Sequence, residues 1–468
     1  MDENISKKIE NFLFKKIELW FLLLIIILFI IFSLAVAVLV RQGIEGKTKV
    51  GNFSIQPITE PLVKFSRLPE KILKKTLKPD DLLIEDLWDE ERKFSRENRG
   101  FYGEGEKSKY ILLSRYSLQD QQSIIELVDL ENFNSLHKWV PDMDKFNALI
   151  EDKSGKFENL ERDHNKKRFR IFHPIMTQDG GIIFSDNYTQ LIKIDHCSNL
   201  VWQNTDYLFH HTKEVDLEGN YWIPADQFSS DIKNFENFRM HNTLVKVNKD
   251  GKILFSKSLV ELFIENNLEY HLHNQNNQSL SSDIFHLNDI EPTKIKSKFW
   301  NIGDLFISLR DLSMIIQYRP STNEIINIIH GPFFNQHDVD VINDEEISIF
   351  NNNRKIYGLE NVEIIIYNFN TKKFRKHLDS QLKEKNIKTT YEGLHTILPN
   401  FQTYVESNQD GIIISFDENE KEKWRFTNDD NEKKKLYAIN WSRIMFDAQQ
   451  LKKISKLEEI KLTKKCIN

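Results

Sequence analysis

Thr177–Gln203 reads TQDGGIIFSDNYTQLIKIDHCSNLVWQ. A turn rich in Asp and Gly leads into an apolar run, then a second apolar run, another turn, and a third run carrying Trp202. Short runs rich in Ile and bounded by turn residues are strands, and Asp, Asn and Gly at the joints supply left-handed backbone and local side-chain hydrogen bonds. The unit returns four times, in Val215–Ser256 around an insertion, Trp300–Ile329, Val341–His377 and Leu398–Phe426. A period of roughly 40–75 residues, stretched by insertions, matches four-stranded propeller blades. YILLSRYS and SIIELVDL, within 110–142, supply a sixth unit, and LYAINWSRIMF (Leu436–Phe446) a closing strand. The expected fold is an all-β, six-bladed β-propeller over 108–448, with an irregular β-sandwich array as the competing architecture.

The chain before this region is different in kind. Leu19 to Val40 carries no charge and is dominated by Leu, Ile, Phe and Val, matching the roughly 20 residues needed to cross a bilayer. Its apolar run exceeds the usual signal-peptide core, so we expect an uncleaved single-pass anchor rather than a cleaved signal. Residues 1–18 are then a cytoplasmic tail. Lysines lie on both sides, so the positive-inside rule orients the span weakly, and the propeller is expected outside the cytoplasm, in the periplasm. Residues 41–107 form a linker with charged helical turns, LPEKILKKTL and DDLLIEDLWDEERKF, and 449–468 a charged tail.

Composition excludes several classes. A net charge of −6 offers no basic field for nucleic acid, and 33 phenylalanines are too many for a disordered chain. Cys197 and Cys466, the only cysteines, lie far apart without metal-ligand spacing, so neither a zinc site nor a disulfide is expected. No GxSxG, GxGxxG, Walker or HExxH motif is present, so no cofactor is expected. The NNN of Asn351–Asn353 reads as a loop.

The histidines follow the repeat. His173, His210, His211, His286, His337 and His395 each precede a unit's turn, on what should be the first strand of a blade. First strands line a propeller's central channel, so these side chains should converge on one axial site. Arg310, after the apolar strand LFISL, can reach the same channel. A lone histidine on a β face is usually a hydrogen-bonded core residue; the recurrence argues for a shared site here. Three imidazoles could hold zinc, but an adjacent guanidinium disfavours a metal and suits an oxyanion, which arginine grips with a bidentate fork. No metal is expected in this site.

With those residues in place, the chain resembles the bacterial arylsulfotransferases that work without a nucleotide sulfate donor. HHTKEVDLEGNYWIP, DIFHLNDIEP, GDLFISLRDLSMI and GPFFNQHDVDVINDEEISIFNNN carry the resemblance, within His173 to Phe426. It implies a six-bladed propeller that passes sulfate from a phenolic sulfate ester to another phenol through a sulfated histidine. Carried over by motif, His337 would be the nucleophile. His286 and Arg310 would hold the sulfuryl oxygens, and His211 or its neighbour His210 would act as hydrogen-bond donor or acid–base partner. His173, His395 and Asn288 would line the substrate. The partners implied are a small aryl sulfate donor, a phenolic acceptor and the membrane through Leu19–Val40.

Two readings from other classes compete. A non-catalytic propeller could bind a protein or an anionic glycan at the cell surface, since fold does not imply function. A quinone-dependent dehydrogenase also uses a propeller, but neither its tryptophan-docking pattern nor a calcium site of clustered carboxylates is evident.

Overall fold

The computed structural model describes residues 18–44, 49–50, 53–66, 84–85, 100–153, 155–227, 241–273, 283–355, 358–390, 392–430, 435–463 and 465–466. They fall into two units, Met1–Lys78 with Asn274–Ser281, and Pro79–His273 with Ser282–Asn468.

The first unit is led by the helix Leu19–Ile44, which has no acidic residue in its first turn and Arg41 in its last. At 1.5 Å per residue it is about 39 Å long, enough to cross a hydrocarbon core. Leu19–Gln42 is long and apolar enough to cross a membrane by length and composition, as an anchor or a signal sequence would be, and none of the window's most apolar stretch is buried. A two-stranded hairpin, Lys49–Val50 with Phe53–Ser54, and the helix Gln56–Ser66 follow. The expected tail (1–17 of it), LPEKILKKTL and most of DDLLIEDLWDEERKF lie outside the described residues. Within the last of these, Ile84–Glu85 is a short strand rather than helix, paired with Leu436 and Tyr437.

The second unit is a propeller-like ring of antiparallel sheets. Leu287–Pro292, Leu305–Leu309, Met314–Arg319 and Glu324–Ile329 form one four-stranded sheet. Val339–Val341, Glu346–Asn351, Glu363–Asn368 and Lys373–His377 form the next. Leu394–Ile397, Thr403–Ser407, Ile412–Phe416 and Glu422–Thr427 follow, with Gly100–Gly103 added at the outer edge. The sheet therefore reaches back before residue 108, the expected boundary. Tyr110–Ser117, Gln122–Asp129 and Asn134–Trp139 are completed by Arg443–Met445, so the chain's end closes the ring on its beginning. The expected closing strand is present, shortened to these three residues.

Residues 172–258 make one eight-stranded sheet. Its two halves meet through only two residue pairs, Leu208↔Asp226 and Phe209↔Ala225. Ile175, Ile183 and Leu191 of one half pack on Ile223, Val245 and Val247 of the other. Similar apolar clusters lie between the other neighbouring sheets, such as Phe306, Ile315, Val339 and Ile365, or Phe350, Ile364, Val405 and Ile414. Near-continuous apolar strands suit this arrangement because both faces of each sheet are covered. The first strands face a common axis, where their charged side chains meet: Arg443 Nη2 lies 3.2 Å from Glu214 and His395 Nδ1 2.6 Å from Asp338.

Two expectations need correction. Ala448–Thr463, read as a charged tail, is a helix whose Ile454 and Leu457 are buried against Leu127, Met176 and Ile194. Charges dominate its sequence, but a few well-spaced apolar residues suffice to dock it. That docking returns Cys466 to Cys197, and the two form a disulfide with a Cα–Cα distance of 5.3 Å. Sequence separation argued against the pair because it holds no information on a helix that folds back.

Candidate functional site

The innermost strands are not smooth. The run 208–215 pairs with 221–226, and His210 N–H donates to the Pro224 carbonyl at 3.0 Å. The ladder then breaks at His211, whose φ is +49°, and resumes at Glu214↔Trp222. His173 (φ +41°) sits in a register shift between Phe172 and Ile175, and His286 (φ +50°) just precedes one between Leu287 and Asp289. A left-handed non-glycine residue costs of order 1–3 kcal/mol, though histidine tolerates it better than most. Such irregularities re-aim a side chain.

Three imidazoles gather as a result. The His211 ring centroid is 5.7 Å from His286, 6.2 Å from His337 and 5.8 Å from Trp441. Trp441 also stands 6.3 Å from His337, giving the pocket an aromatic wall. Arg310 lies next to His286, for its backbone N–H donates to the His286 carbonyl at 3.1 Å. Its Nη1 donates to Asp311 at 2.7 Å, while its Nε is buried with no hydrogen-bond partner among the described residues. A buried cationic donor without a partner is expensive, and an anion would satisfy it.

The hydrogen bonds fix the protons. Asn352 Nδ2 donates to the Glu392 carbonyl at 2.7 Å, so its Oδ1, 2.6 Å from His337 Nδ1, accepts the His337 proton. His337 Nε2 then carries the lone pair, and accepts the Glu392 N–H at 2.8 Å. His286 Nδ1 is 2.6 Å from the Asp283 carboxylate, which leaves its Nε2 as the remaining ring nitrogen. His211 Nδ1 meets His210 Nδ1 at 2.7 Å, one donating and the other accepting. Among the described residues neither His211 Nε2 nor His286 Nε2 has a hydrogen-bond partner.

Burial keeps two of the imidazoles, His211 and His337, neutral. Burial, then the charges of Arg310 and His286, holds His337 well below the usual histidine range. Burial, followed by His210, His286 and His337, does the same to His211. Burial alone would raise Asp283, but its hydrogen bond and charge interaction with His286 outweigh that and lower it. Neutral imidazoles beside a fixed guanidinium provide nucleophiles or proton acceptors next to an oxyanion clamp.

Of the residues named from sequence, His210, His211, His286 and His337 converge, with Arg310 beside them. Asn288 forms part of the wall, its Nδ2 donating to the Gln336 carbonyl at 3.1 Å and its Oδ1 buried without a partner among the described residues. His173 stands behind Trp441, at 5.9 Å, and its Nδ1 accepts the Lys213 N–H at 3.3 Å. His395 does not face the cluster; both its ring nitrogens are engaged, with Asp338 and with Ser348 Oγ at 2.7 Å. It is displaced because it lies within its strand, Leu394–Ile397, rather than before it.

Sequence reasoning missed Trp441, Asp283 and Asn352. The NNN run is no loop of solvated amides: Asn351, Asn352 and Asn353 are buried, and Asn352 holds the tautomer of His337. Three consecutive amides directly after an apolar strand were the available signal. Cys197 and His196 lie near Cys466, but the disulfide takes both sulfurs out of any metal-ligand set.

The family model for arylsulfotransferase (ASST) matches residues 173–429. No curated relative matches the chain. Among solved structures, a protein of unknown function from Bacteroides caccae is similar over 73% of this chain and 100% of its own, at 10% identity and a TM-score of 0.45. A virginiamycin B lyase from Staphylococcus aureus is similar over 56% of this chain and 71% of its own, at 9% identity and a TM-score of 0.33. Likenesses at that level carry no argument about function.

Proposed function

Because this chain belongs to the arylsulfotransferase family, we propose that it moves a sulfuryl group from a phenolic sulfate ester to a hydroxyl acceptor through a sulfated histidine, without a nucleotide donor. The observation that carries the reading is the buried, unpartnered Nε of Arg310 beside imidazoles that burial keeps neutral. The sulfuryl oxygens accept hydrogen bonds from Arg310, and a histidine nitrogen attacks sulfur. The N–S bond forms as the S–O(aryl) bond breaks, and the phenolate leaves with the electron pair. In the second half the acceptor hydroxyl gives its proton to an imidazole, its oxygen attacks sulfur, and the N–S bond breaks. His286, oriented by Asp283, is placed for that proton transfer. Fixed donors favour the charge that grows in each transition state.

His337 is the nucleophile that the family motif designates. Its Nε2 must release the Glu392 N–H before attacking, so Glu392, itself in a left-handed conformation (φ +65°), moves in this reading. His211 is the second reading, favoured by its Nε2 having no hydrogen bond to release. The eight-stranded sheet, joined by two residue pairs and split by an apolar cluster, counts as two blades in this proposal, which makes six. The helix Leu19–Ile44 is proposed as an anchor with the ring in the periplasm.

The test is a rapid-mixing experiment on the full chain in detergent, with an aryl sulfate that releases a coloured phenol. A burst of one phenol per chain, with sulfate mapped by mass spectrometry to His337 or His211, is the expected result and names the nucleophile. Tight binding of aryl sulfate without release from a folded protein would turn the reading to a non-catalytic binding propeller.

A further inference from the structure

Consecutive residues of a strand point to opposite faces, so adjacent histidines do not ordinarily meet. His210 and His211 do, because the left-handed backbone at His211 (φ +49°) turns its ring back on its neighbour. The ring centroids are 4.9 Å apart at 86°, and the two Nδ1 atoms are 2.7 Å apart. One of those nitrogens carries a proton and the other accepts it. What lies behind His210 decides which.

His210 is 1% exposed, and its Nε2 has no hydrogen-bond partner among the described residues. The Asp226 carboxylate stands 3.5 Å from that nitrogen and is equally buried. Asp226 is fixed in its turn. It lies opposite Asn242 in the ladder, and Asn242 Oδ1 accepts the Leu287 N–H at 3.2 Å. The amide is thereby oriented so that its Nδ2 donates to Asp226 Oδ1 at 2.7 Å. The Tyr188 ring stands against that of His210, their centroids 4.9 Å apart. In a buried site a carboxylate facing a ring nitrogen attracts an N–H and repels a lone pair. The proton of His210 therefore sits on Nε2, its Nδ1 accepts, and His211 Nδ1 donates. His211 Nε2 is left with the lone pair.

We propose that Asp226 and His210 are positioning residues, which hold His211 with its Nε2 lone pair toward the sulfuryl pocket and carry a proton away from it. This rests on the sulfuryl-transfer reading and gives His211 the role of base, beside His286, in the second half-reaction. As the acceptor O–H bond breaks, its proton bonds to His211 Nε2, while the Nδ1 proton of His211 passes to His210 Nδ1. His211 ends neutral, and the positive charge lies on His210 against Asp226 rather than next to Arg310. The reverse shift returns the proton to the next departing phenolate. An imidazolium left in the pocket would be disfavoured by burial and by the Arg310 guanidinium, whereas one facing a buried carboxylate is compensated. Asp226 went unread in the sequence because nothing local links it to HHT; the ladder alone brings them together.

The test has two readouts. Nitrogen-15 NMR of the histidine-labelled full chain in detergent at pH 7.5, with His211→Gln supplying the assignment, reads the tautomer whether or not sulfate is transferred. His211 should be protonated at Nδ1 and bare at Nε2, and Asp226→Asn should turn this into a mixture of tautomers. In rapid mixing with an aryl sulfate and a phenol, Asp226→Asn and His210→Phe should slow transfer to the acceptor at least tenfold more than they slow the phenol burst. His210→Gln keeps an acceptor toward His211 Nδ1 and should recover part of that rate. A His211 proton on Nε2, or equal slowing of both half-reactions in variants that melt like the parent, would overturn the proposal. The expected tautomer in a parent that gives no burst would support the hydrogen-bonded chain and sink the transfer reading instead.

Discussion

Two polar groups share one set of innermost strands, often on adjacent residues: Asn288 and Asp289, His337 and Asp338. Among the described residues the upper group leaves a donor, Arg310 Nε, without a partner, whereas the lower is held by the backbone, Asp338 Oδ2 accepting the His395 N–H and Asp289 Oδ2 the Val339 N–H. Burial is the largest cause of perturbation in both, with opposite chemical results. It pushes His211 and His337 down and Asp289, Asp338 and Asp340 up, because it disfavours whichever form is charged. An orphan donor among neutral bases calls for an anion, whereas acids that burial pushes toward the neutral form call for no counter-ion. Both groups sit on the same innermost strands, so the difference lies in single side chains.

Arg310→Ala should break the upper group alone. Sulfate transfer should fall by roughly 10²–10³-fold, the usual cost of losing a fixed charge-stabilising donor. Its thermal midpoint should hold. If the midpoint falls with transfer, Arg310 supports the fold of the axis as well as the reaction. Asn352→Ala comes next, with a loss of about 10²-fold if misplacing the His337 ring by about an ångström is what matters. Asn352→Asp keeps an acceptor toward Nδ1 and should restore part of the rate, which a merely structural role would not require.

The comparison also shows what the chain discloses on its own. HHT, FHL and QHD were legible because each falls at one position of a repeat, and a repeated position implies a repeated direction. Arg310 was legible for a different reason, its place directly after the apolar strand LFISL. His395 shared the pattern by count but lies one step inside its strand, where the pleat aims it at Ser348. Trp441 and Asn352 were not legible as site residues. The first enters only when the ring closes on Tyr110–Ser117, and the second only because Thr389 and Glu392 turn its amide. The disulfide and the docked helix Ala448–Thr463 depend on the same closure. Local pattern reveals a blade, whereas contacts made by returning to the start of the chain leave no local trace.

The disulfide gives a control that should touch neither group. Cys466→Ser frees a bond spanning a separation of 269 residues, and should cost about 2–4 kcal/mol in denaturant unfolding while transfer stays as it was. Loss of transfer would mean that the helix Ala448–Thr463 supports the axis as well as the rim.

Acidity gives the finest test, since the two groups respond with opposite sign. His173, His211 and His337 are held well below 6.5 by burial first. The unfolded chain therefore binds more protons than the folded one below that pH, and stability is lost as pH falls from 6.5 toward the folded values. Asp289, Asp338 and Asp340 are raised well above 3.8, and Glu291 to about 8, again by burial first. Their contribution is fully present at low pH and is lost as pH rises through those raised values. Asp340→Asn removes one of the raised carboxyls, so its stability should fall more steeply between pH 8 and pH 5 than the parent's, as followed by melting. Transfer itself should stay nearly flat from pH 8 to 6.5, because the imidazoles that attack are neutral throughout. A fall in transfer centred near 6.5 would place the essential proton on a residue other than His211 or His337.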